Sequence, residues 1–266
     1  MTMEIISSRN NKWIKQALQL KQKKFRDRYG MFLMEGLRSS EDAINQEIRD
    51  CVCLIQREQL ANERVQQMIE AGEKLHWLFL SPEDGLMELI SGTEHGQGII
   101  LLVHKKQYKK EDLLMKHDGY YVLLDEVQDP GNMGTILRTS AAAGADGVLL
   151  TKGCTDVYAE KAVRSSMGSI LRIPVYENIE LPFVEAWKEA SGLPLYGTAL
   201  QQARPYKEIG DVPCGIFMFG NEGNGIRQEL LSMADQNLYI PLAGTVESLN
   251  VSVACAVILF HFIPSR

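Results

Sequence analysis

The sequence predicts an α/β protein in two parts, a small N-terminal α/β domain and a larger C-terminal domain built on a parallel sheet. Three observations carry this. Helix-period segments alternate with short apolar runs along the chain. Several runs in the second half are continuously hydrophobic, as strands covered on both faces are. Between the halves, "KKQYKKEDLLMKHDG" at 105–119 is charged and lacks a strong apolar period, so it is expected to be a linker. A length of 266 residues, 45% hydrophobic and 23% charged, suits one large soluble domain or two modest ones.

The expected domains are 1–104 and 120–266, with 105–119 between them. In the first, the helical patterns "NKWIKQALQL" and "LRSSEDAINQ" alternate with the strand candidates "MFLMEG", "CVCLIQ", "LHWLFL" and "GIILLVH". In the second, strand candidates recur as "YYVLLDEV", "GVLLT", "ILRIPV", "LPLYGTAL", "CGIFMFG" and "NLYIPL". Helices are expected near 132–144, 158–167, 182–190 and 226–234, and the chain closes on the apolar helix candidate "LNVSVACAVILFHFI". This alternation argues for a doubly wound α/β sheet.

Composition excludes several classes. The closing apolar stretch is 15 residues long and carries Asn250, Ser252 and His261, short of the roughly 20 apolar residues a membrane span needs. The opening "MTMEIISSRNNK" is polar and has no apolar core of a secretory signal. The five cysteines (51, 53, 154, 214, 255) have no framework spacing, which fits reduced thiols in a cytoplasmic protein. No His pairs with Cys or His at metal-ligand spacing, so no metal is expected. The net charge is −6, yet residues 1–28 hold eight Lys/Arg against Glu4 and Asp27. A basic segment on an acidic body can track a phosphate backbone while the body resists nonspecific binding; a solvated helix face is the plainer alternative.

The common nucleotide and hydrolase fingerprints are absent. There is no G-x-x-x-x-G-K-[ST], no G-x-G-x-x-G opening a helix after the first strand, and no G-x-S-x-G. Three other stretches stand out. "LLDEVQDPGNMGTILRTSAAAGADGVLLT" (123–151) breaks the chain at Asp129-Pro130-Gly131, after which Asn132 can cap a helix that carries Arg138 among small residues. "FGNEGNGI" (219–226) places Glu222 in a glycine loop at a strand's carboxyl end, where ligands collect in open α/β sheets. "YIPLAGTVESLNVSVACAVILF" (239–260) sets Glu247-Ser248-Leu249-Asn250 at the start of the apolar helix, where free N–H groups and polar side chains can face a ligand. Taken singly, Arg138 suits a surface ion pair, Glu222 a loop acid and Asn250 an internal cap.

Together these stretches resemble the SpoU (TrmH-like) family of RNA ribose methyltransferases in the SPOUT superfamily. Its three motifs are "DPGNMGTILRTSAAAGADGVLL", "FGNEGNGI" and "IPLAGTVESLNVSVACAVILF", and "KAVRSSMGSILRIPV" (161–175) is similar to an intermediate element. "ISSRNNKWIKQALQLKQKKFRDRYGMFLMEG" and "GQGIILLV" look like the small substrate-binding domain of many members, so the resemblance covers nearly the whole chain. It implies a C-terminal SPOUT domain with a deep trefoil knot, S-adenosylmethionine as cofactor, and methyl transfer to a ribose 2′-hydroxyl, of ribosomal more than transfer RNA. The implied cofactor residues are Phe219, Gly220, Asn221, Gly223, Ile240, Leu242, Leu249 and Asn250. Arg138 would act on the hydroxyl, with Asn132, Glu222, Ser248 and Asn250 orienting or supporting. A guanidinium is a poor base, so Arg138 is better read as a positioner. The implied RNA contacts are Arg9, Asn11, Lys12, Lys24, Arg26 and Arg164, and a homodimer is expected. A non-catalytic RNA-binding protein on the same scaffold is the alternative; so, more weakly, is an enzyme acting on a base nitrogen.

Overall fold

A computed structural model of the chain describes residues 3–91 and 96–264, Asp84 by its backbone alone. The contacts form two compact units, Met1–Lys106 with Asp156–Leu171, and Gln107–Thr155 with Arg172–Arg266.

The first unit holds β1 (Glu4–Ile6), α1 (Lys12–Leu20), α2 (Lys23–Tyr29), β2 (Met31–Glu35), α3 (Leu37–Asn45), β3 (Val52–Ile55), α4 (Glu63–Lys74), β4 (Leu78–Pro82), α5 (Asp84–Ile90) and β5 (Ile99–His104). Its sheet runs β1-β4-β3-β5-β2, with β5 antiparallel to both neighbours. All four strand candidates of this half are strands. The buried stripe Ile14, Ala17 and Leu20 of α1 packs with Leu86, Met87 and Ile90 of α5 onto Ile6, Leu80, Leu54 and Leu102 of the sheet, the spacing an amphipathic helix requires.

Residues 156–171 belong to this unit although residues 107–155 of the other unit come between in sequence. Two contacts explain it. Arg26 forms a buried ion pair with Asp156, and the Tyr158 ring packs 4.9 Å from that of Phe32. The helix α7 (Glu160–Ser165) adds buried Ala162 and Val163. The expected linker is also partly built in, since Lys110–Met115 forms a 3-10 turn whose Leu113 is buried in the core of the second unit.

The second unit holds β6 (Tyr120–Leu124), α6 (Pro130–Ala143), β7 (Gly147–Thr151), β8 (Val175–Ile179), α8 (Leu181–Ser191), β9 (Leu195–Thr198), β10 (Ala203–Pro205), β11 (Gly215–Phe219), α9 (Gln228–Leu231), β12 (Gln236–Tyr239) and α10 (Val251–Phe262). Seven parallel strands run β10-β12-β9-β11-β6-β7-β8. The three that read as continuous apolar runs, β6, β7 and β11, are buried at every position and central or near-central. Two details differ from expectation. "ILRIPV" is not a strand: Ser169–Leu171 is a 3-10 turn and the strand opens only at Val175, after Pro174. The short β10 lies on the sheet edge, where Pro205 interrupts no ladder. Among the described residues no helix is long and apolar enough to cross a membrane, and the apolar closing helix α10 packs on α6.

Candidate active site

Neighbouring strands β12, β9 and β11 all end on the same side of the sheet. Beyond their carboxyl ends lies a cavity of about 620 Å³, closed on the other side by the start of α10. That is where ligands bind in open α/β sheets, and its volume lies within the ~300–1,000 Å³ usual for small-molecule sites. All eight residues expected to hold a cofactor line it: Phe219, Gly220, Asn221, Gly223, Ile240, Leu242, Leu249 and Asn250. Glu222 and Ser248 line it too. Thr198, Ala199 and Leu200, at the end of β9, were not singled out in the sequence. The only signal for them was the position of "LYGTAL" as a strand end in a parallel sheet.

One wall is the loop after β11. Asn221 and Gly225 exchange two backbone hydrogen bonds of 2.9 Å, so the loop folds back on itself. Gly225 turns it at φ +71°, a conformation that suits glycine. Gly220 must also be glycine, because a Cβ there would stand 2.1 Å from the Gly225 carbonyl carbon. The Asn221 side chain fixes the interior. Its Oδ1 accepts from the N–H groups of Gly223 and Asn224 at 2.9 and 3.0 Å, and its Nδ2 donates to the Glu126 carbonyl at 2.9 Å.

The three stretches singled out in the sequence meet through side chains. Asn132 Nδ2 donates to Glu222 Oε1 at 3.0 Å, and Asn250 Nδ2 donates to Asn132 Oδ1 at 2.9 Å. Asn250 Oδ1 then accepts from the Ser252 N–H at 2.9 Å, so Asn250 also serves as the internal cap of α10 that the sequence left as an alternative. Asn132 does not cap α6. Asp129 does, accepting from the Asn132 N–H at 2.8 Å, with Pro130 in the first turn. Asp129 thus satisfies the helix end and leaves the Asn132 amide free to bridge Glu222 and Asn250. Glu222 also accepts from the N–H groups of Gln128 and Asp129, both at 3.3 Å. Burial pushes its carboxyl up, but the Asn132 amide and the backbone N–H groups outweigh this and hold it below its ordinary value.

Arg138 lies six residues beyond Asn132 on α6, which turns it about 120° away around the axis and sets it about 9 Å along it. It is exposed, does not line the cavity, and makes no hydrogen bond or ion pair among the described residues. Of the expected RNA contacts, Arg9, Lys12, Lys24 and Arg164 are exposed. Lys12 lies 4.7 Å above the Trp13 ring and Lys24 4.8 Å above that of Phe25. Asn11 caps α1, accepting from the Trp13 N–H at 2.8 Å. Arg26 is a correction: it is 5% exposed. Its Nε donates to Asp156 at 2.9 Å and its Nη1 to the Leu20 carbonyl at 2.7 Å. Its charge is spent inside the first unit and does not reach a phosphate. Among the described residues no group of three or more His, Cys, Asp or Glu could hold a metal ion.

Comparison with known proteins bears on the family. A family model described as the SpoU rRNA Methylase family matches residues 119–260, and one described as an MRM3-like substrate binding domain matches 11–101. The 23S rRNA (guanosine(2553)-2′-O)-methyltransferase RlmP of Bacillus subtilis (strain 168) is 36% identical over 97% of this chain and 99% of its own length. The crystal structure of an AdoMet-bound rRNA methyltransferase from Sinorhizobium meliloti is 30% identical, covers 97% of this chain and 96% of its own, and superposes with a TM-score of 0.84. AviRb of Streptomyces viridochromogenes, a SpoU methyltransferase solved with AdoMet, shares the fold at a TM-score of 0.85 with 24% identity, covering 94% of this chain and 96% of its own.

Proposed function

Because this chain belongs to the SpoU rRNA Methylase family, we propose that it transfers a methyl group from S-adenosylmethionine to a ribose 2′-hydroxyl of ribosomal RNA. The observation that carries the proposal is the hydrogen-bonded chain Glu222–Asn132–Asn250, which ties three distant motifs together at a cavity of cofactor size. The likeness over nearly full length to a relative named for a 23S rRNA site supports ribosomal over transfer RNA. A cytoplasmic location is part of the same reading.

The cofactor supplies a methyl group already activated on a sulfonium. The protein's part is alignment and electrostatic order. The closed loop 220–225 and residues Ile240, Leu242 and Leu249 would hold the cofactor against the strand ends. Glu222 would keep Asn132 and Asn250 in register. Arg138 would position the ribose and its phosphate through its planar fork, with the exposed basic residues Arg9, Lys12, Lys24 and Arg164 engaging the RNA backbone.

The knotted C-terminal threading and a homodimer complete the proposal. Val253 and Phe260, 48% and 61% exposed, lie seven residues apart on one face of α10, and α10 packs on α6, which carries Arg138. That face is where a second copy would sit. The test is calorimetric binding of S-adenosylmethionine to the folded protein, followed by mapping of ribosomal RNA 2′-O-methylation with and without the gene. One lost site, not restored by an Arg138→Ala variant, is expected. An absence of cofactor binding, or full methylation by Arg138→Ala, would overturn it.

A further inference from the structure

Behind the cofactor loop lies a buried carboxylate that has been given no role so far and does not line the cavity. Asp125 follows β6 directly and is fully buried. Its Oδ2 accepts the backbone N–H of Arg227 at 2.8 Å, and its Oδ1 accepts Arg227 Nε and Nη2 at 2.9 and 2.7 Å. Thr151, the last residue of β7, donates its hydroxyl to Oδ1 at 3.0 Å and accepts the Glu126 N–H at 3.2 Å. The Asp125 backbone N–H donates to the Phe219 carbonyl at 2.8 Å. One residue therefore grips the loop 220–226 on both sides, Phe219 where the chain enters and Arg227 where it leaves.

We propose that Asp125, with Arg227 and Thr151, is a positioning group that sets the shape of the 220–226 loop and through it the affinity for the cofactor. The inference rests on the cofactor reading above. Neither Asp125 nor Arg227 lines the cavity, so neither touches the ligand. They act through the two ends of a loop whose middle carries Glu222 and whose wall is Gly220 to Gly223. A buried carboxylate with four or more donors holds its partners in one geometry, and removing a donor lets the chain segment that carried it shift. The Arg227 side chain is 36% exposed, so its truncation is tolerated better than that of Asp125.

The test uses the full chain with S-adenosylhomocysteine as the titrated ligand and ribosomal RNA as substrate. Arg227→Ala is expected to weaken ligand binding at least tenfold and to raise the KM for the cofactor in step. The KM for RNA stays within twofold, and kcat recovers to within threefold at saturating cofactor. Arg227→Lys, which keeps one bond to Asp125, is expected to weaken binding only about threefold. Thr151→Val, which removes one donor of the carboxylate, is expected to fall between wild type and Arg227→Ala. A purely structural role predicts otherwise: fewer active molecules, a lower kcat, and an unchanged ligand Kd in every variant. That result, or an Arg227→Ala Kd within twofold of wild type, would overturn the proposal. Failure of the wild-type chain to bind the ligand would instead overturn the cofactor reading.

Discussion

Replacing Gly220 by alanine puts a methyl group where the backbone leaves no room. The added Cβ would stand 2.1 Å from the Gly225 carbonyl carbon and 2.2 Å from the Ile226 nitrogen, against roughly 3.5–4.0 Å for an ordinary contact between carbons. Both obstacles are main chain, so no side-chain rotation relieves them. The two arms of the loop must part by more than an ångström, and the paired 2.9 Å bonds between Asn221 and Gly225 go with them. Over-packing alone costs about 1–3 kcal/mol. At about 1.4 kcal/mol per decade, that is about a 5- to 150-fold loss of cofactor affinity if the loop relaxes out of its binding shape. Two neighbours serve as controls. A Cβ on Gly223 would meet only Asn221 Oδ1 at 3.5 Å, close to an optimal contact, so Gly223→Ala is expected to keep the loop's shape and to lose only what its methyl takes from the cavity, less than Gly220→Ala loses. Gly225 has open space but φ +71°, so Gly225→Ala carries about 1–2 kcal/mol of backbone strain and falls between the two. Calorimetric titration with S-adenosylhomocysteine, on variants checked for folding by circular dichroism, gives the order. Gly220→Ala binding within twofold of wild type, or Gly223→Ala proving the worst of the three, would refute the reasoning.

Asn132→Ala cuts the bridge between Glu222 and Asn250; lost bonds of about 1–2 kcal/mol predict single-turnover methylation roughly 5- to 30-fold slower, measured at saturating cofactor. The Glu222 carboxyl is held below its ordinary value of 4.5. Its contribution to stability is therefore complete above that value and is lost as pH falls through the lowered one. Thermal melting of wild type against Glu222→Gln should show a difference that is constant at neutral pH and vanishes only in acid below the ordinary glutamate range. Arg26→Ala leaves the Asp156 carboxylate, its side chain 9% exposed, without its cation, a loss of about 3–5 kcal/mol in chemical denaturation; a loss below about 1 kcal/mol would return Arg26 to the list of RNA contacts.

The fold was legible where burial is simple. The runs "YYVLL", "GVLLT" and "GIFMF" are apolar at every position because both faces of those strands are covered, and each is a strand with every residue buried. "ILRIPV" misled because four of its six residues are aliphatic, despite Arg172 and Pro174. Its isoleucines and leucine are buried by packing of a turn, and no ladder is involved. The segment 156–171 misled for a different reason. Sequence order put it with the second half, but its membership is decided by one buried charge pair and one ring contact to residues more than a hundred positions earlier, and no local pattern records such partners. Arg26 is the same event seen from the other side. In a helix of basic residues it reads as one more cation, and only its partner shows that it faces inward.

The site was legible as a set of residues and illegible as a machine. Polar groups at the start of a greasy helix and an acid in a glycine loop both announce that something holds them, but two competing caps look alike in "DPGN". Once Asp129 takes the capping role, Asn132 has an amide with nothing local to bind, and residues 90 and 118 positions away become its partners. The same helix geometry bears on Arg138. About 120° around α6 from Asn132, Arg138 cannot share the face that meets Glu222 and Asn250. If it acts on a ribose held near that chain of hydrogen bonds, the sugar must span the turn between the two faces, or a second subunit must lie across α6 and build the missing wall. On the proposed reading, Arg138 would complete its site only with the RNA and a second copy in place. Its exposure here is what a group awaiting a phosphate would have, since a guanidinium already paired inside its own subunit would have to break that pair first.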